Sequence, residues 1–154
     1  MQRLKQLRLL GRLTKNRTDI AAKHFADAVR MVQKENQKLE DLISYEADYM
    51  SQIRDLESHT VGSEQIVQYQ NFVKHLEYVI EQQKISIKRV ESEVEIRKAR
   101  WLEAHQQDKA LRDYIKKVED EVQQDLTLKE QKQLDSMVSD FYRFSDNGNG
   151  DDSR

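Results

Sequence analysis

Imidazole is both the commonest metal ligand and the usual proton carrier near neutral pH, so chemistry is sought first at the four histidines, His24, His59, His75 and His105. Each stands alone. None forms an H-x-x-x-H pair, and none completes the E-x-x-H pair with which helical bundles hold two metals. The glycines, Gly11, Gly62, Gly148 and Gly150, never precede a Lys-Ser or Lys-Thr pair, so no phosphate-cradling loop is present to hydrolyse a nucleotide. The chain has no Cys and hence no thiolate site. Its many Asp and Glu read as solvated faces, since acid and base catalysis needs a cleft that excludes water. No catalytic, cofactor or metal site is therefore expected, and the chain is not expected to be an enzyme.

Two other sets of residues carry surface chemistry. Arg3, Lys5, Arg8, Arg12, Lys15, Arg17, Lys23 and Arg30 make the first thirty residues a cation, opposed only by Asp19 and Asp27. Such a stretch suits phosphate, anionic lipid or an acidic protein surface. Nucleic acid is not expected, because Phe25 is the only aromatic in that stretch and falls on an apolar seam. The second set is aromatic, and its meaning depends on the helices that position it.

Alternate steps of three and four from Ile66 give Tyr69, Val73, Leu76, Ile80, Gln83, Ile87, Val90, Val94, Arg97, Trp101, Ala104, Asp108, Leu111, Ile115, Val118 and Val122. All but Gln83, Arg97 and Asp108 are apolar. A 3.5-residue repeat sustained this far is the mark of a coiled-coil seam. The same alternation runs earlier through Leu4, Leu7, Gly11, Thr14, Thr18, Ala21, Phe25, Ala28, Val32, Glu35, Leu39, Leu42, Glu46, Tyr49, Ile53 and Leu56. Between the two lies ESHTVGSEQ, in which Gly62 is expected to end the first helix in a left-handed conformation and Ser63 to cap the second. A loop this short makes the helices antiparallel neighbours. Pairing Leu56 with Ile66 sets every later pair to a sum of 122, so that Ala21 meets Trp101 and Phe25 meets Arg97, its ring face open to the guanidinium. Glu35 and Glu46, polar on the seam, would fix register at some cost in stability.

The expected fold is all-α, a long two-helix antiparallel coiled-coil hairpin with the second helix longer than the first. The helices are placed at about 2–57 and about 65–144, with a turn at about 58–64 and a disordered tail over 145–154. Beyond Val122 the second helix has no residue left to pair with. Its stripe resumes as Leu134, Met137, Val138, Phe141 and Phe144, an apolar face without an internal partner. A composition of 35% charged residues, four Gly and no Pro fits long exposed helices. No stretch approaches the roughly 20 apolar residues of a membrane span, so the chain is expected to be cytoplasmic and not inserted in a membrane.

With Phe25 as a heptad a position, Leu42, Tyr49, Leu76 and Gln83 are d positions, and Lys38, Tyr45, Phe72 and Val79 are flanking g positions. In an antiparallel pair g faces g. Apolar side chains there are unusual, so Tyr45, Phe72 and Val79 should widen the seam into an exposed aromatic strip able to bind a protein.

The segments KLEDLISYEADYMSQI and YQNFVKHLEYVIEQQ, with EQKQLDSMV near the end, resemble the FliJ family of flagellar type III export, over about residues 25–140. Leu42, Tyr45, Tyr49, Gln70, Phe72, Leu76 and Gln82 carry most of that likeness. The resemblance implies a non-enzymatic central stalk, similar to the coiled coil of the rotary ATPase gamma subunit, that inserts in a FliI-like export ATPase hexamer ring. It also implies contact with the cytoplasmic domain of a FlhA-like export-gate membrane protein, with export chaperones, and so a peripheral association with the inner face of the membrane. The gate motif falls on Leu42, Tyr45, Tyr49, Phe72 and Leu76, to which the strip adds Val79. Arg3, Lys5, Arg8, Arg12, Lys15 and Arg17 are the expected ring contacts. The sequence departs from the family's pattern at Lys38 and Gln83, where Gln and a ring-bearing polar residue such as His would stand. A general coiled-coil chaperone or scaffold unrelated to export is the alternative.

Overall fold

A computed structural model describes residues 2–58 and 62–148. It holds two helices that pack against each other, α1 (Gln2–Glu57) and the longer α2 (Ser63–Gly148), and no strand among the described residues. This is the antiparallel coiled-coil hairpin that the two frames require. Every position of both 3,4 frames, from Leu4 to Leu56 and from Ile66 to Val122, is buried or half-buried. The apolar repeat therefore locates the core without a slip. Leu4, Ala28, Val73, Leu76, Ile80, Ile87 and Val118 are its most buried apolar members. Burial of large apolar side chains of this kind stabilises by roughly 1.5–3 kcal/mol each, which is how a chain with 35% charged residues holds two long helices together.

The turn differs from its expected chemistry. α1 stops at Glu57, where the Ser58 amide donates to the Arg54 carbonyl at 3.3 Å and the Ser58 hydroxyl to the Asp55 carbonyl at 2.7 Å. Gly62 lies too far downstream to end α1 and does not adopt a left-handed φ. It opens α2 instead, its carbonyl accepting the Gln65 amide at 3.2 Å. Ser63 is the first helical residue rather than the cap. At its other end α2 runs on past Phe144 through Ser145, Asp146 and Asn147 to Gly148, because no breaker intervenes and Asp or Asn costs a helix only a few tenths of a kcal/mol. The remainder of the expected tail, 149–154, lies outside the described residues.

The chain divides into two compact units. One holds residues 15–106, and the other holds the start of α1 to Thr14 with α2 from Gln107 onward. In the 15–106 unit the Thr18 hydroxyl donates to the Ala104 carbonyl at 3.1 Å, a pair that sums to 122. Gln83 Nε2 crosses the seam to the Glu35 carbonyl at 2.9 Å and to Glu35 Oε2 at 2.7 Å. Trp101 is half-buried and stacks on Phe25, one turn from Ala21, with ring centroids 6.0 Å apart. Its other neighbour is His105 at 5.5 Å. The Phe25 face is thus taken by Trp101, not by Arg97. The Arg97 guanidinium turns to stronger acceptors, Glu93 Oε1 at 2.9 Å and the His24 carbonyl at 3.1 Å, because a charge-assisted bond outweighs a ring quadrupole.

In the other unit Gly11 permits a close approach. A Cβ built there would lie 3.1 Å from Ile115 Cδ1, so the absent side chain makes room for Ile115 at the cost of about 1 kcal/mol in helix propensity. Asp108 is buried on the seam, with Oδ2 held by Arg112 at 3.0 Å and Oδ1 without a hydrogen-bond partner.

Candidate protein-interaction site

The aromatic strip is built on the g–g flank of the 15–106 unit. Leu76, on the seam, is buried and Leu42, Tyr49 and Val79 are half-buried, while Tyr45 is 46% and Phe72 36% exposed. Tyr45 and Phe72 face each other across the flank with ring centroids 6.2 Å apart and planes near perpendicular. Tyr49 packs beneath both, 5.0 Å from Tyr45 and 4.6 Å from Phe72. Edge-to-face pairs of this kind contribute about 0.5–1.5 kcal/mol beyond area burial, enough to hold the rings in place. The neighbouring Tyr45 hydroxyl, with desolvation, holds the Tyr49 phenol above the usual tyrosine range.

Tyr69 also joins the cluster, 5.8 Å from Tyr49. The sequence placed Tyr69 on the seam but not with these rings. The signal was available, since a seam residue touches the facing position one turn away as well as the one directly opposite. Lys38 is a flank position outside the cluster; it is paired with Glu35 at 3.1 Å.

The basic run is partly committed within the protein. Arg3 donates to the Tyr114 hydroxyl, and Arg8 pairs with Glu119 at 3.3 Å. The Arg8 pair is well exposed, 57% and 43% for the two side chains, and such pairs contribute about 0–1 kcal/mol. Lys5 and Arg12 in the same unit make no ion pair among the described residues, nor do Lys15 and Arg17 in the 15–106 unit. A third surface lies beyond Val122, where every residue from Gln123 to Gly148 is exposed, Leu134, Met137, Val138, Phe141 and Phe144 among them.

No group of described residues could hold a metal ion, and no described helix is long and apolar enough to cross a membrane. The family model described as flagellar FliJ protein matches residues 2–146. The chain belongs to the FliJ family. It is accordingly a component of flagellar protein export. No curated protein and no solved structure matches the chain. The FliJ match takes in both helices together with Tyr45, Phe72 and the basic run, so each surface described above belongs to the family's own sequence rather than to an appended segment.

Proposed function

We propose that this FliJ-family chain is a non-enzymatic stalk of the export apparatus, coupling the hexameric export ATPase to the export gate and receiving substrate-loaded chaperones. The observation that carries the reading is the ring cluster on the g–g flank. Tyr45 and Phe72 are exposed, while the half-buried Tyr49 packs against both rings, as in a preformed protein-binding patch. Leu42, Tyr45, Tyr49, Phe72, Leu76 and Val79 form the gate contact, reached from the cytoplasmic side of the membrane.

Arg3, Lys5, Arg8, Arg12, Lys15 and Arg17 form the ATPase contact. Long cations on a helix guide entry to an acidic bore without locking one orientation, and the attraction weakens with salt as the Debye length shrinks to about 3 Å at about 1 M. The test is co-purification with the export ATPase and measurement of its stimulated hydrolysis. Arg8→Glu, Arg12→Glu and Arg17→Glu together should reduce stimulation with helicity unchanged. Stimulation equal to that of the native chain would refute the charge role, and failure to co-purify would refute the stalk.

A further inference from the structure

The flank that carries the aromatic strip also carries an anomaly in charge. Continuing its g positions gives Arg17 and His24 on α1 and Glu93 and Arg100 on α2. Tyr45 and Phe72, in ring contact, sum to 117. The same sum sets His24 opposite Glu93 and Arg17 opposite Arg100. Flanking positions of a coiled coil normally face opposite charges, and like charges across a pair destabilise it. Here two arginines face each other.

These four residues, with Ala21 and Arg97, line a cleft of about 380 Å³ within the 15–106 unit, and Ile20 gives it an apolar wall. Glu93 is the only carboxylate in that lining, and it is already engaged by Arg97 Nε at 2.9 Å. Arg97 is held a second time through Nη1 by the His24 carbonyl at 3.1 Å, so its guanidinium is fixed while Nη2 donates to no described residue. Arg17 and Arg100 enter no ion pair among the described residues. The cleft thus holds an excess of positive charge, one guanidinium of it fixed, whose repulsion an incoming anion would relieve.

We infer that this cleft binds a carboxylate-bearing peptide segment of a partner protein, with Arg17, Arg97 and Arg100 as its donors. The surroundings favour a peptide over a free phosphate. Arginine forks take carboxylate and phosphate alike, but dedicated phosphate sites commonly add unpaired backbone amides at helix N-termini or nests, whereas the amides here lie inside two continuous helices and are committed to the helical ladder. Planar guanidiniums match the two oxygens of Asp or Glu, and Ile20, 48% exposed, offers an apolar contact beside them. Arg17 is shared with the proposed ATPase contact, whereas Arg97 and Arg100 have no part in it; because binding is read on the isolated chain with a peptide, its failure is distinct from failure of the ATPase reading.

The experiment uses the full chain and a fluorescein-labelled peptide of alternating Glu and Leu residues, with binding followed by anisotropy at low salt. The native chain should bind it. Arg17→Ala with Arg100→Ala should weaken binding at least tenfold without lowering the melting temperature, since the change also removes a repulsive pair. Lys98→Ala with Lys116→Ala removes the same charge elsewhere and should leave binding within twofold. Absence of binding to the native chain overturns the inference, as does an equal loss in the lysine variant. Displacement of the peptide by an equal concentration of inorganic pyrophosphate assigns the cleft to small phosphates and overturns the peptide reading.

Discussion

Phe72 and Phe141 are the same side chain on the same helix, and each lies among other rings, yet their surroundings differ. Phe72 packs against Tyr45 and Tyr49, both contributed by α1, and is 36% exposed. Phe141 is 72% exposed, and its ring neighbour is Tyr142, the next residue in the chain. Apolar residues at helical spacing define a face in both places. Only a facing helix converts the face into a core, and α1 supplies facing residues for α2 no further than Val122. Beyond that point the helix depends on propensity alone. The two regions are therefore exposed in different senses. The rings of the first are already ordered, so a partner gains contact without the cost of immobilising them; those of the second must be ordered on binding.

The largest test of this contrast is stability. Leu76→Ala removes a seam side chain that is 5% exposed, and should destabilise by about 2–5 kcal/mol through lost burial and the cavity left behind. Phe141→Ala, a larger truncation, should leave the melting temperature unchanged. Thermal unfolding followed by circular dichroism compares the two directly. A fall for Phe141→Ala like that for Leu76→Ala would mean that the overhang is packed in solution and would erase the difference between the regions.

Binding at the strip should show the next largest effect. Tyr45→Ala and Phe72→Ala should each weaken association with the export-gate cytoplasmic domain by about 2 kcal/mol, roughly 30-fold, and slow flagellar secretion. Because both are flank residues, the melting temperature should fall only slightly. Calorimetric titration against the gate domain, beside the melting curve, separates the outcomes. If both variants melt much earlier or bind normally, the strip is thickened core. Leu42, Tyr49 and Leu76 are poorer probes, since truncating them opens the seam as well.

The contrast also shows what was legible in the sequence. The seam, the overhang and the flank carrying Tyr45 and Phe72 all follow from one periodicity and one turn, because in a two-helix hairpin the frame fixes which side chains meet. The ring neighbours did not follow. Pairing each seam residue with a single opposite number placed Phe25 against Arg97 and omitted Tyr69, whereas a seam side chain lies between two facing residues and settles on the better contact. For Phe25 that contact is Trp101; Tyr49 meets Tyr69 and Phe72 on the facing helix and Tyr45 on its own. The end of α1 differs for another reason, since Ser58 bonds back to the last turn before Gly62 is reached. The unpaired arginines at 17 and 100 were visible as letters, but their opposition needs the g–g register that the packed rings of Tyr45 and Phe72 reveal.

The smallest expected effect is a pH dependence that should belong to the 15–106 unit and be missing from the overhang. Glu35 sits on the seam, where hydrogen bonds from Gln83 first and Lys38 second, with the nearby Lys38 and Lys34 charges, hold its carboxyl below the ordinary carboxylate range. A group whose pKa is lower folded than unfolded binds more protons when unfolded. Its stabilising contribution is therefore complete above the ordinary carboxylate pKa and is lost as pH falls through the lowered folded value. Tyr49 acts in the opposite direction. Its phenol is held above the ordinary tyrosine range, so its contribution is complete below the ordinary tyrosine pKa and is lost as pH rises through the raised value. Urea unfolding across the acid range should show stability declining, with a shallower decline in Glu35→Gln, which keeps an acceptor for Gln83 but has no proton to take up. Asp135→Asn and Asp140→Asn, on the exposed stretch of α2, should leave the curve where it was. Equal flattening by the overhang variants would show that the acid response reflects net charge rather than the Gln83–Glu35 bond, and that bond would then carry no more than register.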